Sequence, residues 1–470
     1  MVIQFFLTLS ILTVILSSCT VGPNHKVPEI TLPEKFSEGE IRSLGNISTL
    51  PWWTAFNDDH INQLVKVVLN QNLTLLQAME RITAAKESVT ASESGSFPTL
   101  VTSSSNTLSN STGENNKLIR NTASAGFNVS WLIDLFGQYR RAKESSLANL
   151  DATYASADVV RLSIISNLLS SYIDARYYQE RLSIAYENLA SRKQTLELTR
   201  FKLNAGAASK LDVVQAEALV NTTLSAIPDL EKNFRISVNN IALLIAQPSD
   251  KILAYMKKKR QQPIAFIKTN VGIPADLIRN RPDIRQAERK LASYVAKIGV
   301  AQSQLYPSLS LNGSIFFSNI STRQASSDLS PWSLGPSIKL PIFDGRYLQS
   351  NLKIAESAAR EQYLVWKTTV LNAIKEVEDT LVSVHRDRKT LSARRAQVNS
   401  YKEALSLSTA SYRDGIASLL DVLDAQRSVA SAQVDFSTSA QQLAKDYVNL
   451  NIAIGGGYSF TYNRKNTSNH

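Results

Sequence analysis

Two kinds of hydrophobic periodicity run along this chain, and each occurs twice. From Tyr139 to Lys202 neither Gly nor Pro interrupts the sequence, and apolar residues follow a 3,4 spacing through Leu147, Leu150, Tyr154, Ala157, Ile164, Leu168, Ala175 and Tyr178 to Leu196. That spacing predicts one helix of about 95 Å at about 1.5 Å per residue. Within it Leu182, Leu189, Leu196 and Leu203 recur at heptad intervals, as Leu391, Val398, Leu405 and Tyr412 do later. A stripe of that length needs neighbouring helices packed along it as in a coiled coil, because no single globular core is so long. The second periodicity is two. Ala123, Ala125, Phe127, Val129, Trp131 and Ile133 alternate with Ser124, Gly126, Asn128 and Ser130. Trp332, Leu334, Ile338, Leu340 and Ile342 alternate with Ser333, Gly335, Ser337 and Lys339, and Leu309, Leu311, Ile315 and Phe317 make a third such run. A weaker, Ser- and Thr-rich fourth lies between Leu100 and Leu108. Each span matches the roughly nine to eleven residues of a tilted outer-membrane strand with one face to lipid and one to a lumen.

The doubling is also literal. Gln77-Ala78 returns as Gln286-Ala287, Phe97-Pro98-Thr99-Leu100 as Tyr306-Pro307-Ser308-Leu309, and Gly206 to Val213 as Gly415 to Val422; 286 − 77, 306 − 97 and 415 − 206 are each 209. Near the Gly137 and Gly345 turns the offset slips to 208 (345 − 137). Two copies of one supersecondary plan therefore stand in tandem. The boundaries expected are a signal peptide at 1–18, an N-terminal segment at 19–57, the first repeat at 58–247, a linker at 248–275, the second repeat at 276–456 and a tail at 457–470.

The first residues suggest export. Phe5 to Leu16 is an apolar run of about a dozen residues, long enough for a signal-peptide core and too short to span a bilayer. Leu16-Ser17-Ser18-Cys19 follows and contains the only cysteine of the chain. The pattern resembles a bacterial lipobox, which predicts an acylated Cys19; Thr20 is not the aspartate that retains lipoproteins at the inner membrane. With Cys19 lipidated, no thiol is left for disulfide or metal. Gly and Pro are sparse (17 and 14), and no later apolar window could span as a helix. Any further membrane crossing must use strands. Four strands cannot close a barrel, since open edges in lipid leave backbone groups unpaired, so an oligomer is required. Eight strands would be filled by their own side chains, which favours three copies or more.

Other chemistry is thin. Net charge is +11, concentrated only at Lys257-Lys258-Lys259-Arg260, a run expected to be a solvated linker and not a nucleic-acid site. His25, His60, His385 and His470 lack metal-ligand spacing, and neither a nucleophile elbow nor a phosphate loop occurs. Glu376, Glu378 and Asp379 read as a solvated helix face. No catalysis and no cofactor are expected apart from the lipid on Cys19. Ser209 to Asp212 and Ser418 to Asp421 both fit capping boxes, which gives Asp212 and Asp421 a structural explanation. Asp424 has none, because its counterpart in the first repeat is Gln215; Tyr412 similarly replaces Leu203.

Taken in order, Cys19-Thr20-Val21-Gly22-Pro23, Pro51-Trp52-Trp53-Thr54-Ala55-Phe56-Asn57-Asp58, Ile273-Pro274-Ala275-Asp276-Leu277-Ile278, Arg281 to Glu288, Leu423-Asp424-Ala425-Gln426-Arg427 and Ile454-Gly455-Gly456-Gly457-Tyr458 resemble the TolC-like outer-membrane efflux factors, in particular the lipoprotein branch serving resistance-nodulation-division pumps. The resemblance covers nearly the whole mature chain. It implies a mostly α protein with membrane β: a homotrimer with a twelve-stranded outer-membrane β-barrel continuous with a twelve-helix periplasmic α-barrel. It also implies an adaptor (membrane fusion) protein and an inner-membrane pump as partners, and passive export of drugs or other small toxic compounds. On its terms Leu420, Asp421 and Asp424 narrow the pore, and Tyr412 closes it by bonding to Asp212. Ala417 stands where some members carry an arginine lock. The same duct could serve type I protein secretion, and a lipid-anchored coiled-coil scaffold without a pore is the remaining alternative.

Overall fold

The computed structural model describes residues 20–38, 47, 50–113, 116–257, 261–264, 272–322 and 325–458. The expected signal peptide, Cys19, most of the basic run and most of the C-terminal tail lie outside them. After a short 3-10 helix, Trp52–Phe56, come α1 (Asp59–Gln71), α2 (Leu73–Ser94), β1 (Thr99–Gly113), β2 (Asn116–Ile133), α3 (Gln138–Asn204), α4 (Lys210–Leu244) and α5 (Ser249–Met256). Then follow α6 (Pro274–Asn280), α7 (Pro282–Ser303), β3 (Ser308–Thr322), β4 (Ser326–Leu329), β5 (Trp332–Lys339), α8 (Tyr347–Arg413) and α9 (Leu419–Ala453).

The two halves match element by element. Helices α3 and α8 have 67 residues each, about 100 Å at the α-helical rise, and α4 and α9 have 35 each. Their starts are separated by the repeat offset, 347 − 138 and 419 − 210 both giving 209. The slip at the Gly137 and Gly345 turns has a local cause. Gly137 alone adopts positive φ before α3, whereas Gly345 and Arg346 both do before α8. One extra residue is thus taken up in the second turn.

The chain forms two compact units that do not follow the repeat boundaries. Each repeat sends its strands into the first unit and the greater part of its long helices into the second.

In the first unit the sheet is antiparallel, in the order β1-β2-β3, with β4 and β5 both pairing β3 at successive positions. These two are one strand interrupted at Ser330 and Pro331, where the Phe316 amide still donates to the Pro331 carbonyl (3.0 Å). Proline has no amide to give back, so the ladder breaks there. The run expected from Trp332 to Ile342 is also shorter at its far end: Leu340 and Ile342 fall beyond β5, because Lys339 is already opposite Ser308, the first residue of β3. Conversely, the weak segment around Leu100–Leu108 is a full strand. Its hydroxyls bond to the neighbour's backbone, Thr99 Oγ1 to the Ser130 carbonyl and Thr102 Oγ1 to the Gly126 carbonyl, both at 3.1 Å.

The N-terminal motif is strapped onto this same unit. The Val21 amide donates to the Phe136 carbonyl (3.2 Å), and the Arg141 guanidinium donates to the carbonyls of Val21 and Gly22 and to Asn24 Oδ1. Gly22 has φ +94°, and a Cβ there would lie 2.4 Å from the Gly299 Cα, so both glycines are needed for this approach. His25 Nε2 meets Glu288 Oε1 at 2.6 Å.

The second unit is helical and carries the larger core. Trp52, Trp53, Phe56, Ile61, Leu64 and Val68 pack with Ile165, Leu169, Ile241 and Val448. Three sequence motifs meet here. The Trp52 indole donates to the Gly456 carbonyl (3.1 Å), a Cβ on Gly455 would strike the Asn280 carbonyl at 2.7 Å, and Arg281 donates to the Ala453 carbonyl and to Asp283 and Glu376. The expected solvated face at Glu376 and Glu378 is therefore also a bonding face: Glu378 accepts from the Ser37 amide (2.9 Å) and Glu376 from Arg281 (2.7 Å). Fully buried Arg176 is satisfied by Tyr172, Gln179, His60 and the Met256 carbonyl, as a buried charge must be.

Candidate functional site

The strand arc of the first unit has two chemically distinct faces. Register aligns Thr102, Phe127, Ile315 and Trp332 in one row and Leu100, Val129, Gly313 and Leu334 in the next. Phe127, Ile315, Phe317, Trp332 and Leu334 are all exposed, so one face of the sheet is an apolar surface that no described residue covers. On the opposite face serine and asparagine side chains bond across strands: Ser105 to Ser124 (2.9 Å), Ser130 to Asn312 (3.0 Å) and Ser314 to Ser333 (2.9 Å). The apolar band of β3 runs from Leu309 to Phe317. Those residues rise about 30 Å along the strand, or about 23 Å along the normal of a barrel tilted about 40°, near the roughly 25 Å of an outer-membrane apolar band. Trp131 anchors one end, its indole donating to the Ser96 carbonyl (2.9 Å).

The helix ends of the second unit form a separate candidate site. Helix α3 closes with a Schellman motif, Ala207 N to Lys202 O (2.8 Å) and Gly206 N to Leu203 O (2.9 Å), and α8 repeats it with Ile416 N to Ser411 O (2.9 Å) and Gly415 N to Tyr412 O (3.2 Å). Gly206 and Gly415 take φ of +73° and +80°, which the motif requires and which other residues rarely adopt. Both capping boxes form: Ser209 with Asp212, and Ser418 with Asp421. Behind them, Leu189, Leu196, Val213, Leu219, Tyr412, Val422 and Leu423 make one apolar cluster, so the two heptad stripes meet at this end, whereas Leu391 packs with Ala440 and Leu443.

Each expected gate residue has a definite place. Leu420 is 53 % exposed. The Asp421 carboxylate accepts from the Ser418 hydroxyl (2.7 Å) and amide (3.0 Å), and these bonds hold it below the usual carboxylate range, hence ionised. Asp424 is paired with Arg427 at 2.6 Å, one turn along the same helix. Asp212 accepts from the Ser209 amide and hydroxyl, both at 2.8 Å. Within a single chain the Tyr412 hydroxyl is turned to Thr199, and both cap bonds of Asp212 fall on its Oδ2. Buried Tyr412 meets Thr199 Oγ1 with its hydroxyl at 3.4 Å, and Lys202 Nζ lies 4.2 Å from its ring centre. Arg427 was legible, since it stands in the quoted motif at an i,i+3 spacing from Asp424. Thr199 and Lys202 were not, because their partner lies more than two hundred residues away.

A second titratable feature of this unit was unexpected. Asp446 on α9 is 4 % exposed and accepts from Gln442 (2.8 Å). Burial and the neighbouring Asp387 carboxyl of α8 push its own carboxyl up to about 7. The native state thus keeps a proton that the unfolded chain releases near 3.8, so this group's contribution to stability falls as pH rises from there through about 7. Asp446→Asn is expected to melt like the wild type at about pH 3 and at a higher temperature than it at about pH 8. Equal melting shifts at both pH values would show that the pair does not share a proton.

Two halves that each send strands to one sheet and carry a very long helix closed by a Schellman motif define the class of chain to which the comparisons point. The family model described as "Outer membrane efflux protein" matches residues 64–247 and again 273–456, and the chain belongs to that family. The two matches start 273 − 64, or 209, residues apart. Nodulation protein T of Rhizobium leguminosarum bv. viciae is 49 % identical over 458 residues, covering 97 % of this chain and 94 % of that one. Cation efflux system protein CusC of Escherichia coli K12 is 28 % identical over 453 residues, covering 94 % and 97 %. Among solved structures, that of the outer-membrane channel OprN superposes with a TM-score of 0.84 at 28 % identity, covering 94 % of this chain and 100 % of that one.

Proposed function

We propose that this protein is the outer-membrane exit duct of a tripartite efflux system. Three copies would close a twelve-stranded barrel in the outer membrane, continued by a twelve-helix tunnel in the periplasm. A periplasmic adaptor and a resistance-nodulation-division pump would complete the path and supply the energy. Cargo would be drugs, metal cations or other small toxic compounds, moved passively. The observation that carries this reading is the arc itself: one bare apolar face, one hydroxyl-lined face, and two open edges at β1 and β4–β5. Open edges in lipid cost several kcal/mol for each unpaired group, so the arc calls for copies of itself. The name of CusC supports an efflux role, and the lipobox supports an anchor at Cys19. The reading assigns no catalytic step and no cofactor beyond that lipid.

Deleting the gene should raise cellular accumulation of at least one compound in a panel of dyes, antibiotics and metal cations; no change across the panel would contradict the reading. Complementation with Cys19→Ser should give a protein that still trimerises but takes up no labelled palmitate and is soluble or mislocalised. Acyl chains add about 0.8 kcal/mol per buried methylene to anchoring, while the strands insert on their own account. Absence of label in the wild type would remove the anchor from this account.

A further inference from the structure

We propose that Lys202 is the latch residue that ties the ends of the two long helices together and sets how readily the duct opens. The proposal rests on the reading of these tips as a gate. Lys202 lies in the last turn of α3, and its ammonium makes two contacts with one residue of α8. It donates to the Tyr412 carbonyl (2.5 Å) and stands over the Tyr412 ring at 4.2 Å. That carbonyl belongs to the C-terminal turn of α8, where partial negative charge accumulates, and it already accepts from Gly415 (3.2 Å). A lysine from one helix therefore completes the C-cap of its neighbour. The ring beneath it is 6 % exposed and packed in the apolar cluster, which strengthens a cation–π contact.

The tie exists on one side only. Repeat symmetry puts Ser411 at the position matching Lys202 and Leu203 at the position matching Tyr412. A serine is too short to cap across helices, and a leucine offers no π face. The Ser411 carbonyl is engaged within its own turn, by Ile416 (2.9 Å) and Ala417 (3.2 Å). One half of the repeat is thus pinned and the other is not, and separation of the tips has to break the Lys202 contacts while the matching pair has no such tie to lose.

This account differs in its mutational signature from one in which the Tyr412 hydroxyl closes the gate. Tyr412→Phe keeps both the ring and the carbonyl under Lys202. Lys202→Met keeps the length and packing of the side chain and loses the charge. In planar bilayers the Lys202→Met protein should open about tenfold more often than wild type, the size expected for losing a semi-buried cation–π contact with a charged hydrogen bond. Lys202→Arg should restore wild-type gating, Tyr412→Phe should stay within about twofold of it, and trimer mobility on native gels should be the same for all. Unchanged opening in Lys202→Met, or a large effect of Tyr412→Phe alone, would overturn the latch while leaving the channel intact. If no protein conducts, wild type included, the channel reading fails and the latch falls with it.

Discussion

Phe127→Arg and Ile315→Arg are expected to abolish assembly in the outer membrane, whereas Asn128→Ser and Ser314→Asn are expected to assemble normally. Phe127 and Ile315 face each other across β2 and β3 on the exposed apolar face. Asn128 and Ser314 are the next pair in register, on the hydroxyl-bearing face. A charge on the lipid side costs roughly 2 to 4 kcal/mol near the midplane, and three subunits would each bear it. A lumen position stays in water, so a polar exchange there costs little. Trp131→Arg should be milder than Phe127→Arg, because Trp131 sits at one end of the band with its indole bonded to Ser96. The readout is the fraction of protein recovered as heat-modifiable oligomer from outer membranes. Equal recovery from both faces would show that the alternation does not sort lipid from water.

The second large effect is expected at the acidic tips. In a trimer Asp424 would appear three times about one axis, with Asp421 a turn earlier, and crowded carboxylates favour cations over anions. The structure changes what each acid contributes. Asp421 is ionised but committed to the Ser418 cap, while Asp424 shares its charge with Arg427. Asp424→Ala therefore removes three negative charges and leaves three arginines unopposed, and cation over anion preference should fall roughly tenfold or reverse. Asp421→Ala should fall less in selectivity and lose some stability, since a lost cap costs about 1 kcal/mol. Arg427→Ala should raise cation preference and tighten block by multivalent cations. Reversal potentials across a salt gradient separate these three outcomes.

Most of the architecture was readable because it is local and repeated. The 3,4 spacing from Tyr139 to Lys202 reports a helix that runs from Gln138 to Asn204, and Ser209 and Ser418 announce their caps within three residues. Strand β2 was legible because apolar and polar or glycine positions alternate without a break from Ala123 to Trp131. Strand β1 was weak because its stability comes from hydroxyls bonding to a neighbour, as with Thr99 and Thr102, and period-two hydrophobicity does not register that. Leu340 and Ile342 were misplaced because alternation continues past Lys339, whereas the partner strand begins at Ser308, opposite that residue. At the tips, sequence asymmetry drew attention to Tyr412 and Asp424, but not to their contacts within the chain. The Asp212 cap was legible because it is local, whereas the lysine that bonds Tyr412 is far away in sequence. The Asp387–Asp446 pair was invisible for the same reason: neither residue is remarkable until two helices bury one against the other.

The central claim, that copies of this chain close a water-filled duct, is tested most directly by single-channel recording from the protein purified from membranes and placed in planar bilayers. The account predicts discrete, long-lived conductance steps that prefer cations, are plugged by trivalent cations, and are carried by a species whose mass in detergent is three times that of one chain. A monomeric protein, or a trimer that gives no steps at any voltage, would contradict it.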